Sequence, residues 1–86
     1  MYSKEVLVRC ESGLHRDQVT YFVQKANEFE CSIWLESGNR KLNAKSLIGI
    51  MSMGIVSGVT VTLSANGPDA EKAVNALEEL LQRDVY

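Results

Sequence analysis

The chain has 86 residues, one domain's worth (1–86) and near the lower end of what holds a core without metal or disulfides. Its apolar fraction of 45% and charged fraction of 23% are ordinary for a globular domain, and a formal net charge of -2 gives no electrostatic basis for binding nucleic acid or an anionic membrane surface. No apolar run approaches the ~20 residues that a membrane-inserted helix needs, and a cytoplasmic location is the expectation.

In chain order, Val6, Val8 and Cys10 alternate with Glu5, Leu7 and Arg9, which predicts a half-buried strand from Lys4 to Cys10 with Leu7 as an apolar residue on the outer face. Glu11-Ser12-Gly13 breaks that pattern. Val19, Phe22, Val23 and Ala26 then recur at helical spacing, predicting a first helix from about Arg16 to Asn27. Asp17 near its start complements the helix dipole.

Cys31, Ile33 and Leu35 alternate with Ser32, Trp34 and Glu36 as a second strand, placing Trp34 on the polar face. Ser37-Gly38-Asn39 is a turn, and Arg40 to Asn43 a short return strand. Ser46 is a natural N-cap for a short helix through Leu47-Ile48-Gly49-Ile50-Met51, with Gly54 near its end. Val59, Val61, Leu63 and Ala65 alternate with Thr60, Thr62 and Ser64 as the cleanest strand. Asn66-Gly67-Pro68-Asp69 stops it and caps a last helix. That helix aligns Ala70, Ala73, Val74, Leu77, Leu80 and Leu81 on one face, with Glu71, Glu78 and Glu79 outside. The order βαββαβα, with one apolar face per strand, predicts an α+β fold in which a single sheet is covered by helices on one side.

Cys10 and Cys31 have neither CxxC spacing nor enough partner histidines, since His15 is the only histidine. They are read as buried reduced thiols, with no metal site and no cofactor. His15 is the residue with the sharpest chemistry. It follows a glycine loop and directly precedes the first helix, where unpaired backbone amides would favour a phosphate carried on a ring nitrogen. Imidazole titrates near neutrality, so it can be a nucleophile and later a leaving group. Taken alone, a histidine at a helix start is more often a solvated residue or a cap, and Ser46 is explained completely as an N-cap.

Three segments shift that balance. Gly13-Leu14-His15 resembles the start of the active-site motif Gly-Leu-His-Ala-Arg-Pro of the HPr family, the histidine-containing phosphocarriers of the bacterial sugar phosphotransferase system. The run from Asn43 to Gly54 resembles the family's second motif almost throughout, and Gly58, Gly67 and Asp69 fit its third segment. The resemblance covers essentially the whole chain. It implies an HPr-like open-faced β-sandwich, with the antiparallel sheet in the order 1-4-2-3 under three helices.

The resemblance also implies a role. His15 is the phosphoacceptor, taking phosphate from enzyme I and passing it to sugar-specific enzyme II components. Leu47, Ile48 and Met51 are the docking residues, because the helix after Ser46 has more apolar residues than one buried face holds. In Gram-positive relatives the serine corresponding to Ser46 is phosphorylated by a dedicated kinase in carbon catabolite control. An HPr kinase/phosphorylase and a transcriptional regulator are therefore further implied partners, and Lys45 stands near such a phosphate in sequence. On either role the chain is a carrier or regulator and not a stand-alone enzyme.

The departures from the family pattern are local. Its arginine two positions after the histidine and proline three after it are replaced by Asp17 and Gln18, while Arg16 stands next to His15 as the available phosphate contact. A carboxylate there repels a phosphoryl group. On the first helix, Thr20, Gln24 and Asn27 stand where relatives often carry basic residues. These differences leave three readings open: a phosphocarrier; a divergent regulatory protein acting through Ser46 with weak or no phosphocarrier activity; and a binding domain that uses neither site.

Overall fold

The computed structural model describes residues 1–9 and 16–82, the first two of the second stretch as backbone only. Cys10 and His15 lie outside the described residues. Strand β1 is Tyr2–Leu7, helix α1 Arg16–Ala26, β2 Ser32–Ser37, β3 Arg40–Asn43, α2 Leu47–Ser52, β4 Thr60–Asn66 and α3 Ala70–Gln82. All pairings are antiparallel and the sheet order is β1-β4-β2-β3. Strands β1 and β2 are consequently parallel to each other with β4 between them. The same holds for β3 and β4 around β2, so two crossovers interlock.

The register explains why this order holds. Val6 pairs with Val61, Leu63 with Leu35, and Ala65 with Ile33, so the apolar residues of three strands meet on one side. All six are buried, together with Val19, Phe22, Val23 and Ala26 of α1 and the predicted apolar face of α3. The opposite side carries Ser3, Thr62, Ser64, Trp34 and Lys41. There the Lys41 ammonium stands 5.3 Å from the centre of the Trp34 ring. Burial of each large aliphatic side chain contributes about 1.5–3 kcal/mol, so the one-sided pattern is the main source of stability.

Three details differ from the sequence reading. Strand β1 runs from Tyr2 to Leu7, not from Lys4 to Cys10, because β4 extends to Asn66 and pairs Ala65 with Tyr2. Past Leu7, Val8 still bonds to Val59, but the amide of Arg9 donates to the carbonyl of Leu81 at 2.9 Å, which draws the chain from the ladder onto the end of α3. Glu78, expected outside, is half-buried and pairs with Lys4 of β1 at 2.8 Å. Lys4 shares the helix-facing side of β1 with Val6, and its hydrogen bond to Glu78 raises its pKa.

The third detail is Asp69. Its carbonyl accepts from the amide of Ala73, as a helix cap should, but its carboxylate crosses to the residues that lead into β2. One oxygen accepts from the amide of Glu30 and the other from that of Cys31, each at 3.0 Å. The contact is close because Gly67, at φ +147, lays the β4–α3 turn directly on Cys31. A Cβ on Gly67 would fall 2.7 Å from Cys31 Cβ and 2.8 Å from its Cα. Cys31 carries a free, buried thiol, as expected. Burial pushes its pKa up, and the neighbouring Asp69 adds to the shift. In return the Cys31 thiol and the Glu30 amide hold the Asp69 carboxyl below its ordinary value.

Two outcomes follow from this corner. Gly67→Ala should cost about 2 kcal/mol or more, roughly a 10 °C drop in melting temperature, because both backbone strain and overlap oppose the methyl group. A pKa lowered in the folded state means that the Asp69 contribution is complete above the ordinary value of 3.8 and is lost as pH falls through the lowered one. Asp69→Asn should therefore be less stable than wild type at neutral pH, with the gap closing in acid, as read by thermal melts across pH.

Candidate functional site

The site is built on α2, and its construction starts one turn earlier. Ala44 is buried and its amide donates to the carbonyl of Ile33. The side-chain oxygen of Asn43 accepts from the amide of Lys45 at 2.9 Å, and the Asn43 carbonyl accepts from the amide of Ser46 at 3.1 Å. These bonds turn the chain out of β3 and deliver Ser46 in an extended conformation, φ -101 and ψ 112. Its Oγ accepts from the amide of Gly49 at 3.2 Å and its carbonyl from that of Ile50 at 3.0 Å. Ser46 is thus the N-cap, as the sequence indicated. Gly49 leaves room for the cap, since a Cβ there would sit 3.2 Å from Ser46 Oγ.

At the far end the Met53 amide donates to the Ile50 carbonyl, and Gly54 at φ +61 takes the left-handed turn that ends a helix. Ile50 is fully buried and Met53 packs on the core. Leu47, Ile48 and Met51 remain outside, 41%, 82% and 46% exposed. The excess of apolar residues seen in the sequence is resolved by display of these three. Val56, 55% exposed beyond the helix, joins the exposed apolar residues; no periodicity marked it.

The turn before Ser46 is also fastened to α1. Asn27 donates to the Val23 carbonyl at 2.9 Å and to the Lys45 carbonyl at 3.4 Å. The Lys45 ammonium donates to the Phe29 carbonyl at 2.7 Å. The Lys45 ammonium, a neighbour of Ser46 in sequence, is thus bonded to the chain that follows α1. No acidic residue occupies the first turn of α2 to oppose an anion at Ser46. Arg16 opens α1 and Asp17 follows it. His15 lies outside the described residues, so the structure places Ser46, Leu47, Ile48 and Met51 together without placing the histidine.

A four-stranded sheet in the order 1-4-2-3 with helices on one side and a short serine-capped apolar helix on display define a small open-faced α+β sandwich domain. The family model for the PTS HPr component phosphorylation site matches residues 2–83. The HPr-like protein Crh of Halalkalibacterium halodurans is 39% identical over 84 residues, covering 98% of this chain and 100% of that protein. Phosphocarrier protein HPr of Vibrio cholerae is 39% identical over 83 residues, 96% of this chain and 98% of that one. The crystal structure of the phosphocarrier protein HPr from Bacillus anthracis superposes with a TM-score of 0.91 at 40% identity, covering 94% of this chain and 96% of that one. The chain belongs to the HPr family of phosphocarrier proteins, which carry phosphate and are not catalysts.

The cap makes a measurable claim. Ser46→Ala should lose about 1 kcal/mol in chemical denaturation, the usual cost of an N-cap hydroxyl. Ser46→Asp should keep the far-UV spectrum and a cooperative melt, because aspartate caps as well and a negative charge suits a helix start.

Proposed function

We propose that the chain accepts a phosphoryl group on His15 from enzyme I and transfers it to sugar-specific enzyme II components, acting in the cytoplasm as one domain. An imidazole nitrogen of His15 attacks the phosphorus; its new N–P bond forms as the donor's bond to phosphorus breaks, and the reverse exchange passes the group on. Arg16, adjacent to His15, is the phosphate contact. Leu47, Ile48 and Met51 are the docking surface, and their joint exposure on a helix anchored by the buried Ile50 is the observation that carries this reading. An uncharged helix in a protein of net charge -2 docks by apolar contact, with less steering than a basic surface supplies.

A second reading is favoured by Asp17 and Gln18 beside His15 and by the likeness to HPr-like protein Crh. In it, phosphorylation of Ser46 by an HPr kinase/phosphorylase directs the chain to a transcriptional regulator in carbon catabolite control. A phosphate on Oγ would replace a neutral cap by a charged one and meet no acidic residue in the first turn of α2.

Incubation with enzyme I and phosphoenolpyruvate separates the two readings. The expected product is acid-labile phosphohistidine, absent in His15→Ala. Asp17→Arg should be phosphorylated faster than wild type, with a gain that shrinks at high salt because exposed charges are screened within about 8–10 Å. Asp17→Asn should gain less, since it removes repulsion without adding a cation. No phosphohistidine in wild type, with Ser46 modified by the kinase, would select the regulatory reading.

A further inference from the structure

Resting on the docking role given to α2 above, we infer that Arg40 is a positioning residue, whose guanidinium clamps the last turn of α2 and sets how Leu47, Ile48 and Met51 meet a partner. A six-residue helix gains too little from its own hydrogen bonds to hold its place. It buries one residue, Ile50, and has no basic residue in its last turn. Its N-terminal end is tied by the Ser46 cap and the fastened turn before it. At the C-terminal end Met51 and Ser52 are exposed and Met53, just past the helix, packs on the core, so the last turn has apolar anchorage but no directional hold of its own.

Arg40 supplies that contact from the start of β3, where it pairs with Ser37 in the sheet. Its Nη1 donates to the Ser52 carbonyl at 2.7 Å and its Nη2 to Ser52 Oγ at 2.9 Å. Ser52 Oγ in turn donates to the Gly49 carbonyl at 2.7 Å. Both prongs of one planar fork thus close on a single residue adjacent to Met51, and the cation faces carbonyls at the negative end of the helix. A planar fork with two donors fixes orientation as well as distance, which a lysine ammonium does not. Severing it leaves the last turn held by Ile50 and Met53 alone, with more freedom to tilt about the N-cap. The three apolar side chains then have to be ordered on binding, which weakens association without touching the phosphoryl chemistry.

The experiment is steady-state phosphorylation of the full chain by enzyme I and phosphoenolpyruvate, with the chain as varied substrate, alongside amide hydrogen exchange of the free protein. Arg40→Ala should raise KM roughly three- to tenfold with kcat within about twofold. Exchange at the amides of Gly49–Met53 should quicken while that of β4 is unchanged. Arg40→Lys, which keeps the charge and the fold, should recover only a minor part of the KM loss. Full recovery by lysine would make Arg40 a surface charge, and unchanged KM or exchange in Arg40→Ala would remove the clamp; either result overturns the inference. Ile48→Asp serves as the control on the docking reading. If it raises KM while Arg40→Ala does not, docking stands and the clamp falls; if it leaves KM unchanged, the docking role itself is lost.

Discussion

A sheet whose four strands each have a single apolar face can be covered on only one side, and that side has limited room. Helix α3 packs directly on β1, β4 and β2, and α1 packs beside α3. Little of the covered surface is left for α2, which leans on α1 and β3 at the rim and buries only Ile50. The exposure of Leu47, Ile48 and Met51 is thus a consequence of how the sheet is covered.

A rim helix of this kind is held by polar contacts at its ends. The Ser46 cap, the Asn43 turn, the Asn27 and Lys45 links to the end of α1 and the Arg40 fork together replace the packing that a longer helix would have. Each is individually modest, about 1 kcal/mol for a neutral hydrogen bond and somewhat more where a charge is involved. What they add is fixed orientation, which the docking surface proposed for α2 would require. The opposite corner works differently: at Gly67 and Asp69 the chain approaches Cys31 so closely that backbone contact and carboxylate bonds lock α3 to β2.

The elements were legible in the sequence because periodicity reports burial directly. Val61, Leu63 and Ala65 against Thr60, Thr62 and Ser64, and the apolar face of α3, need no partner to be recognised. Ser46 was legible as a cap because its hydrogen bond is local, and the exposure of part of α2 because the count of apolar residues exceeds one face. Strand order was not written in any of these patterns, since alternation says which side a residue faces and not which strand lies next to it. That order came from the family resemblance, and the ladder agrees with it.

Only the tertiary structure decided where the charged and polar side chains go. Lys45 reads as a neighbour of Ser46 but donates to Phe29; Glu78 reads as solvent-facing but pairs with Lys4; Asp69 reads as a cap but also ties β2. Arg40 reads only as the start of a short return strand, yet its guanidinium reaches Ser52 across 12 positions of sequence. Long side chains span several ångströms in directions set by the packing of other elements, so their partners are distant in sequence and leave no periodic trace. Along a periodic strand or helix apolar burial follows position in one element, and the sequence alone shows it. Polar pairing, and which apolar residues of α2 stay outside, depend on elements brought together, and only the fold settles them.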